Sequence, residues 1–291
     1  MSARTRVVAV VAVTAAFVAG AAVGIAYLQA RGGHTGSAVR KGAPPLELPA
    51  SPALRLYDAG KRKQAETLFS RSHDLADEIG VAFARWPHGT LDTMKSLVAS
   101  HPGNALADLH LGLAYFWSGR DADAAVSWQR AAKEQPDTPY AVVALDFLHP
   151  GVAPGLPPIV VDAPSIAAPA RTLLLRGILA WDREHMATAR RLIDAAAARA
   201  PQDPAVLSAA AVARYSPATP LAPFPKLGPL TGRYPHAAVV RFHLGELLLW
   251  TRQVAKGKAQ LRLASAGGSV YARAAKQILR LLAANGSKQG K

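Results

Sequence analysis

Between residues 105 and 138, apolar positions recur three and four apart in two runs separated by a short polar turn. The first run is ALADLHLGLAYFWSG and the second is RDADAAVSWQRAAKEQPDT. This period predicts two helices folded into a hairpin. Leu111, Gly112 and Tyr115 share one face of the first; Ala124, Trp128 and Ala131 share one face of the second, which Pro136 closes. Gly112 and Ala124 are small where two helices must approach closely, and Leu111, Tyr115 and Trp128 fill the space around them.

The same pattern extends along the chain. ALRLYDAGKRKQAETLFSRSHDLADEI predicts a helix from Pro52, a turn at Gly60 and a second helix, with Ser51 as the N-cap. Gly60, Ala65 and Phe69 keep nearly the relation of Gly119, Ala124 and Trp128. A loop at Trp86–Gly89 and a helix over TLDTMKSLVASHP follow. Pro102 and Pro136 lie 34 residues apart, as do Pro201 and Pro235. The runs from Arg171 to Pro201 and from His236 to Gly267 repeat the hairpin, with Gly177 and Gly245 at the close-approach position. Trp117, Trp181 and Trp250 stand near the ends of first helices. Shorter helical starts, PYAVVALDFLH (139–149) and AVLSAAAVARY (205–215), lie between them, and a last helix runs from Val270 to Ala284.

The residues Leu111, Gly112, Tyr115, Ala124, Ala131 and Pro136, at these spacings, resemble the tetratricopeptide repeat, a 34-residue helix–turn–helix unit. Trp128 stands where that family has a bulky aromatic, while Asp108 departs from its usual opening tryptophan. The resemblance covers most of residues 52–284 and implies an all-α solenoid of about five irregular repeats. It also implies a concave groove lined by first helices, where the family binds peptides or proteins. Leu106, Leu109, Leu113 and Phe116 match those groove positions, as do Val239, Phe242, Glu246 and Leu249. The family's clamp for acidic C-termini uses Lys, Arg and Asn there; this chain has mostly apolar groups, so that activity is not carried over. An apolar groove takes an extended apolar peptide or a helix, or is filled by the chain itself. The uncharged stretch Leu156–Val161, within the proline-rich segment 149–169, is the candidate for self-filling. Residues 216–235, equally proline-rich, are expected to behave likewise.

Before the repeats, Val7–Leu28 is an uncharged run of 22 residues. As a helix it spans about 33 Å, enough for a bilayer core. It reads as a transmembrane signal-anchor, with a cleaved signal peptide ending near Ala21 as the rival. Ala12, Ala16, Gly20 and Gly24 form a small-residue stripe, and Gly20 with Gly24 would suit a homodimer. The short basic start favours a cytoplasmic N-terminus, hence a single-pass protein of the cell membrane with its repeats outside the cytoplasm. The expected organisation is an anchor over 1–30, a Pro/Gly-rich flexible linker over 31–51, a TPR-like domain over 52–286 and a disordered tail over 287–291.

Charge adds a second surface. Of the formal +15, residues 204–291 carry thirteen Lys or Arg against the single acid Glu246. Lys256, Lys258, Arg262, Arg273, Lys276 and Arg280 could meet an anionic polymer or lipid, nucleic acid being the less expected case. There is no cysteine, which removes disulfides, thiolate metal sites and cysteine nucleophiles. The nine histidines lack zinc-ligand spacing, and no nucleophile elbow or phosphate-binding glycine loop occurs. No cofactor, metal or catalysis is expected. The reading is a membrane-anchored, non-catalytic scaffold for a protein or peptide. The alternatives are anionic-surface binding and regulation of a membrane enzyme complex, as by repeat proteins of the cytochrome c maturation type.

Overall fold

The computed structural model describes residues 42–286, and every regular element among them is helical. The anchor expected at 7–28, with Gly20 and Gly24, lies outside the described residues, as does the tail 287–291. Among the described residues no helix is long and apolar enough to cross a membrane.

Where one repeat domain over 52–286 is expected, the described chain divides between Leu148 and His149 into two compact units. Among the described residues each has a strap, the second followed by a short 3-10 turn (Ala163–Ser165), and then seven α-helices. In the first unit these are α1 (Pro52–Asp58), α2 (Arg62–Phe69), α3 (Leu75–Ala84), α4 (Thr90–Ser100), α5 (Ala105–Trp117), α6 (Asp121–Glu134) and α7 (Pro139–Leu148). In the second they are α8 (Ala168–Asp182), α9 (Met186–Arg199), α10 (Pro204–Val212), α11 (Phe224–Arg233), α12 (Ala238–Trp250), α13 (Val254–Ala264) and α14 (Val270–Gly286). Within each unit successive helices pack on one another, and the fifth also meets the third and the seventh.

Side-chain caps fix several helix starts. Ser51 Oγ accepts from the Leu54 N–H, Asn104 Oδ1 from Leu106 and Ala107, and Asp203 Oδ1 from Ala205 and Val206. The hairpin turns α1/α2, α5/α6, α8/α9 and α12/α13 each place one residue at positive φ: Gly60, Gly119, Glu184 and Arg252. The first unit uses glycine at this left-handed position, and the second accepts the strain of a side chain.

Hairpin packing follows from residues without side chains. A Cβ on Gly112 of α5 would lie 2.3 Å from Trp128 Nε1 of α6, and that Nε1–H donates to the Leu109 carbonyl at 3.2 Å. The indole thus lies directly on the α5 backbone, and Phe147 stacks on it at 4.9 Å. In the second unit Gly177 of α8 receives Ile193, and Gly245 of α12 receives Leu261. Asp108, buried on α5, is held by Arg130 of α6 at 2.7 Å. Burial pushes its carboxyl up while the guanidinium pulls it back.

Two segments differ from expectation. Residues 224–233, expected to be extended, form α11 despite Pro225 and Pro229. Pro225 falls in the first turn, where no intrahelical N–H bond is lost, and burial of Leu227 and Leu230 outweighs the one bond missing at Pro229. Residues 42–50, expected to belong to a flexible linker, instead bury Pro44 and Leu46 in the first unit.

Two glycines of similar helical setting should respond oppositely to alanine. Gly112→Ala forces the indole off the α5 backbone, for a loss of about 1–3 kcal/mol. At Gly232 of α11, followed by Arg233 rather than a proline, an added Cβ meets nothing within 4 Å beyond its chain neighbours, so Gly232→Ala should gain about 0.5–1 kcal/mol. Chemical denaturation of both variants measures the signs, and a neutral Gly112→Ala would contradict this packing.

Candidate functional site

The predicted groove residues are all interior. Leu106, Leu109, Leu113 and Phe116 of α5 are at most 8% exposed, and Val239, Phe242, Glu246 and Leu249 of α12 at most 5%. They therefore present no open apolar surface as the chain stands. What lies against the two helices is the chain itself, as a strap in each unit.

In the first unit the strap is Ala43–Ala50, extended because Pro44, Pro45 and Pro49 fix φ and remove donors. Pro44 and Leu46 point inward while Pro45 and Pro49 are exposed. Two bonds capture its backbone. Tyr57, at the end of α1, donates its hydroxyl to the Pro44 carbonyl at 2.7 Å. Three residues further on, the Glu47 N–H donates to His110 Nε2 at 3.1 Å. His110 Nδ1 lies 2.8 Å from the Leu106 carbonyl one turn earlier on α5, so Nδ1 carries the proton and Nε2 is free to accept. Phe83 of α3 meets the imidazole edge-on at 5.7 Å.

The second unit repeats this register with different residues. Trp181, at the end of α8, donates its Nε1–H to the Pro157 carbonyl at 2.8 Å. Three residues on, the Val160 N–H donates to His243 Nε2 at 3.1 Å, while His243 Nδ1 lies 2.9 Å from the Val239 carbonyl. Pro157-Pro158-Ile159-Val160 thus occupies the place of Pro44-Pro45-Leu46-Glu47. Two further bonds tie this strap down. The Ala153 N–H donates to the Trp250 carbonyl at 2.9 Å, and the Asp162 N–H donates to the Tyr271 hydroxyl at 2.9 Å. Ala153, Pro157, Ile159, Val160 and Val161 are buried, so the predicted self-filling segment Leu156–Val161 lies packed. Because residue 153 meets residue 250 and residue 160 meets residue 243, the strap runs antiparallel to α12. Glu246 sits on α12 between those two contacts, with Oε2 lacking a hydrogen bond and burial pushing its carboxyl well above the usual range.

Burial also sets the state of the histidines. Desolvation lowers His110 and His243 to about 4, against the opposing pull of the carbonyl at Nδ1. Both are therefore neutral near pH 7, the one form in which Nε2 can accept the strap. Glu47 is raised by burial and by nearby Asp58, and Tyr271 is raised to about 12 by burial.

The six predicted basic residues are exposed on α13 and α14, apart from half-buried Lys258. On α14, Arg273, Lys276 and Arg280 lie opposite the buried face of Tyr271, Ala274, Ala275 and Ile278. Arg273 and Lys276 bond the carbonyls of Gly268 and Gly267. Among the described residues no group of three or more His, Asp or Glu is placed to hold a metal.

The strap-binding residues Tyr57, His110, Trp181, His243 and Tyr271 are not among the predicted site residues. The signal available in the sequence is double: His-Leu-Gly recurs at 110–112 and 243–245, and Pro-Pro at 44–45 and 157–158.

Fold and site together define a helical-repeat protein in which each unit holds an extended segment of its own chain. No family model matches this chain, and no curated protein matches it. Among solved structures it is similar to the TPR2AB-domain:pHSP90 complex of yeast Sti1. That likeness has 14% identity and a TM-score of 0.33, over 79% of this chain and 95% of the other.

Acid should act through the two imidazoles. A histidine held near 4 when folded and near 6.5 when unfolded takes up its proton first in the unfolded chain. Its contribution is therefore full above pH 6.5 and is lost as pH falls toward 4, by about 3 kcal/mol each. The carboxyls of Glu47, Asp108 and Glu246, raised in the fold, act in the opposite sense, so the comparison must isolate the histidines. Relative to wild type, H110Q/H243Q should lose less stability between pH 7 and pH 4.5 in urea melts. Parallel pH profiles for the two proteins would contradict the assignment.

Proposed function

We propose that this protein is a non-catalytic scaffold, anchored in the cell membrane by residues 7–28, whose helical-repeat units bind a protein or peptide partner. The observation that carries the reading is the strap register found twice. Buried side chains on first helices bind the backbone of an extended segment, and neighbouring apolar positions accept alternate side chains. That is how a peptide-recognition groove works, with main-chain bonds for affinity and pockets for specificity. The uncharged span at 7–28 supports the anchor, and its short basic start supports an extracytoplasmic repeat region. Photo-crosslinkers placed at the exposed positions Val126 and Leu179 test this in native membranes. The expected result is a discrete cross-linked partner in a fraction that resists carbonate extraction. Self-products alone, or full release by carbonate, would overturn it.

One observation favours a second reading. Arg252, Lys256, Lys258, Arg262, Arg273, Lys276 and Arg280 occur with no acid from Thr251 through Asn285, and exposed Leu263 lies among them. Such a surface suits anionic lipid. Liposomes with phosphatidylserine should then retain the protein lacking residues 1–30, with affinity falling steeply between about 50 and 200 mM salt. Replacing Arg273, Lys276 and Arg280 by alanine should flatten that dependence. Equal retention on neutral liposomes would exclude the reading.

A further inference from the structure

We propose that the groove of the first unit is a recognition site for an extended Pro-Pro-aliphatic segment of a partner protein. Residues 44–48 are the intramolecular stand-in which that segment displaces. The inference rests on the scaffold reading and names the ligand class of its groove.

Three features of the geometry point there. The first is register: the carbonyl of the first proline and the N–H three residues later are the groups bound in both units. Both are backbone groups, available in any segment with this proline placement. The inward positions shared by both units are the first proline and the aliphatic residue two further on, Pro44 and Leu46 here and Pro157 and Ile159 in the second unit. Prolines also hold such a segment extended beforehand, so little freedom is lost when it binds.

The second feature is the inequality of the two straps. The second is tied at four points along Ala153–Asp162, is continuous with helices at both ends and buries Val160 and Val161 as well. It is a permanent part of its unit. Among the described residues the first is held by two bonds and two buried side chains, with Glu47 and Leu48 only half-buried. Among the described residues it adjoins a helix at Ser51 only, so its release breaks no other described helix.

Third, an empty groove is unfavourable. Without a strap, Tyr57 Oη and His110 Nε2 lose their partners in an apolar site, at the cost of an unsatisfied buried group. The strap is therefore exchanged for an equivalent segment more readily than it is simply lost. The same feature fixes the required ligand: it must present a carbonyl and an N–H at that spacing.

The test uses the full chain in detergent micelles and a fluorescent acetylated peptide, Ala-Pro-Pro-Leu-Glu-Leu-Pro, matching residues 43–49. L46D weakens the internal strap without touching the groove wall, so it should bind this peptide at least tenfold more tightly than wild type. A peptide carrying an N-methyl group on the glutamate nitrogen lacks the donor for His110 and should bind at least tenfold more weakly. Hydrogen exchange of the wild-type Glu47 amide provides a second readout should L46D fail to fold. Exchange faster than that of the α5 amides is expected, and exchange only with global unfolding overturns the proposal. So does a folded L46D that ignores the peptide or binds the N-methylated form equally. A dimer dissolved by the peptide would place a second copy's strap in the groove and overturn the partner assignment. If the peptide fails while a partner is still cross-linked in membranes, the groove proposal falls and the scaffold reading stands.

Discussion

An extended chain laid against an apolar helix carries N–H and C=O groups that water no longer reaches, and both units are built around satisfying them. The solution is the same each time. An aromatic donor at the end of the first helix takes one strap carbonyl, and a neutral imidazole on the fifth takes one strap N–H. Histidine suits the second task for a specific reason. Nδ1–H is bound by the carbonyl one turn earlier in the helix, which fixes the ring and leaves Nε2 as an acceptor directed outward. Lysine or arginine could only donate there, and a carboxylate would bring a charge into the apolar site. The burial that depresses the imidazole's proton affinity therefore also preserves the bond holding the strap.

That imidazole works only if its helix is held close to its hairpin partner, and the same three residues do both jobs. In His110-Leu111-Gly112 the histidine and glycine lie two positions apart, about 200° around the helix, and so face opposite ways. His110 meets the strap while Gly112 admits Trp128 onto the helix backbone. His243-Leu244-Gly245 repeats this, with Leu261 in place of the tryptophan. The partner residue can change in size because the second unit meets Gly245 with a smaller group and also places Gly257 opposite it. A Cβ at Gly257 would itself lie 3.0 Å from the Gly245 carbonyl.

The helical hairpins were legible because their signal is local. Small residues, apolar periodicity and proline stops fall within one 34-residue window, and α5, α6, α8, α9, α12 and α13 lie where the spacing puts them. The straps were harder, because their partners are remote: Glu47 meets a histidine of α5, 63 residues away. Proline and glycine in 31–51 read as a spacer, since composition describes what a segment cannot do alone and says nothing about what groove awaits it. Leu156–Val161 stood out only because three consecutive branched apolar residues are hard to leave in water. The stretch 224–233 misled for a related reason. Its prolines dominate a local reading, while the buried face of Leu227 and Leu230 becomes visible only once α10 and α12 supply the surface.

The division of labour within the straps explains how the two units keep one architecture with so little sequence in common. Contacts to the backbone constrain only the spacing between a carbonyl and an N–H, so they survive replacement of nearly every strap side chain. Glu47 becomes Val160 and the donor Tyr57 becomes Trp181 without moving either bond by more than about 0.1 Å. The inward aliphatic position is stricter, because Leu46 and Ile159 must fill a site of fixed volume between helices. Differences then accumulate where the strap meets other elements. The second strap reaches Tyr271 and Trp250, and there the chain continues into described helices on both sides. A groove that recognises spacing more than sequence can have one permanent occupant in one unit and an exchangeable one in the other. One aromatic donor and one imidazole serve both cases, and the number of bonds along the described strap distinguishes them.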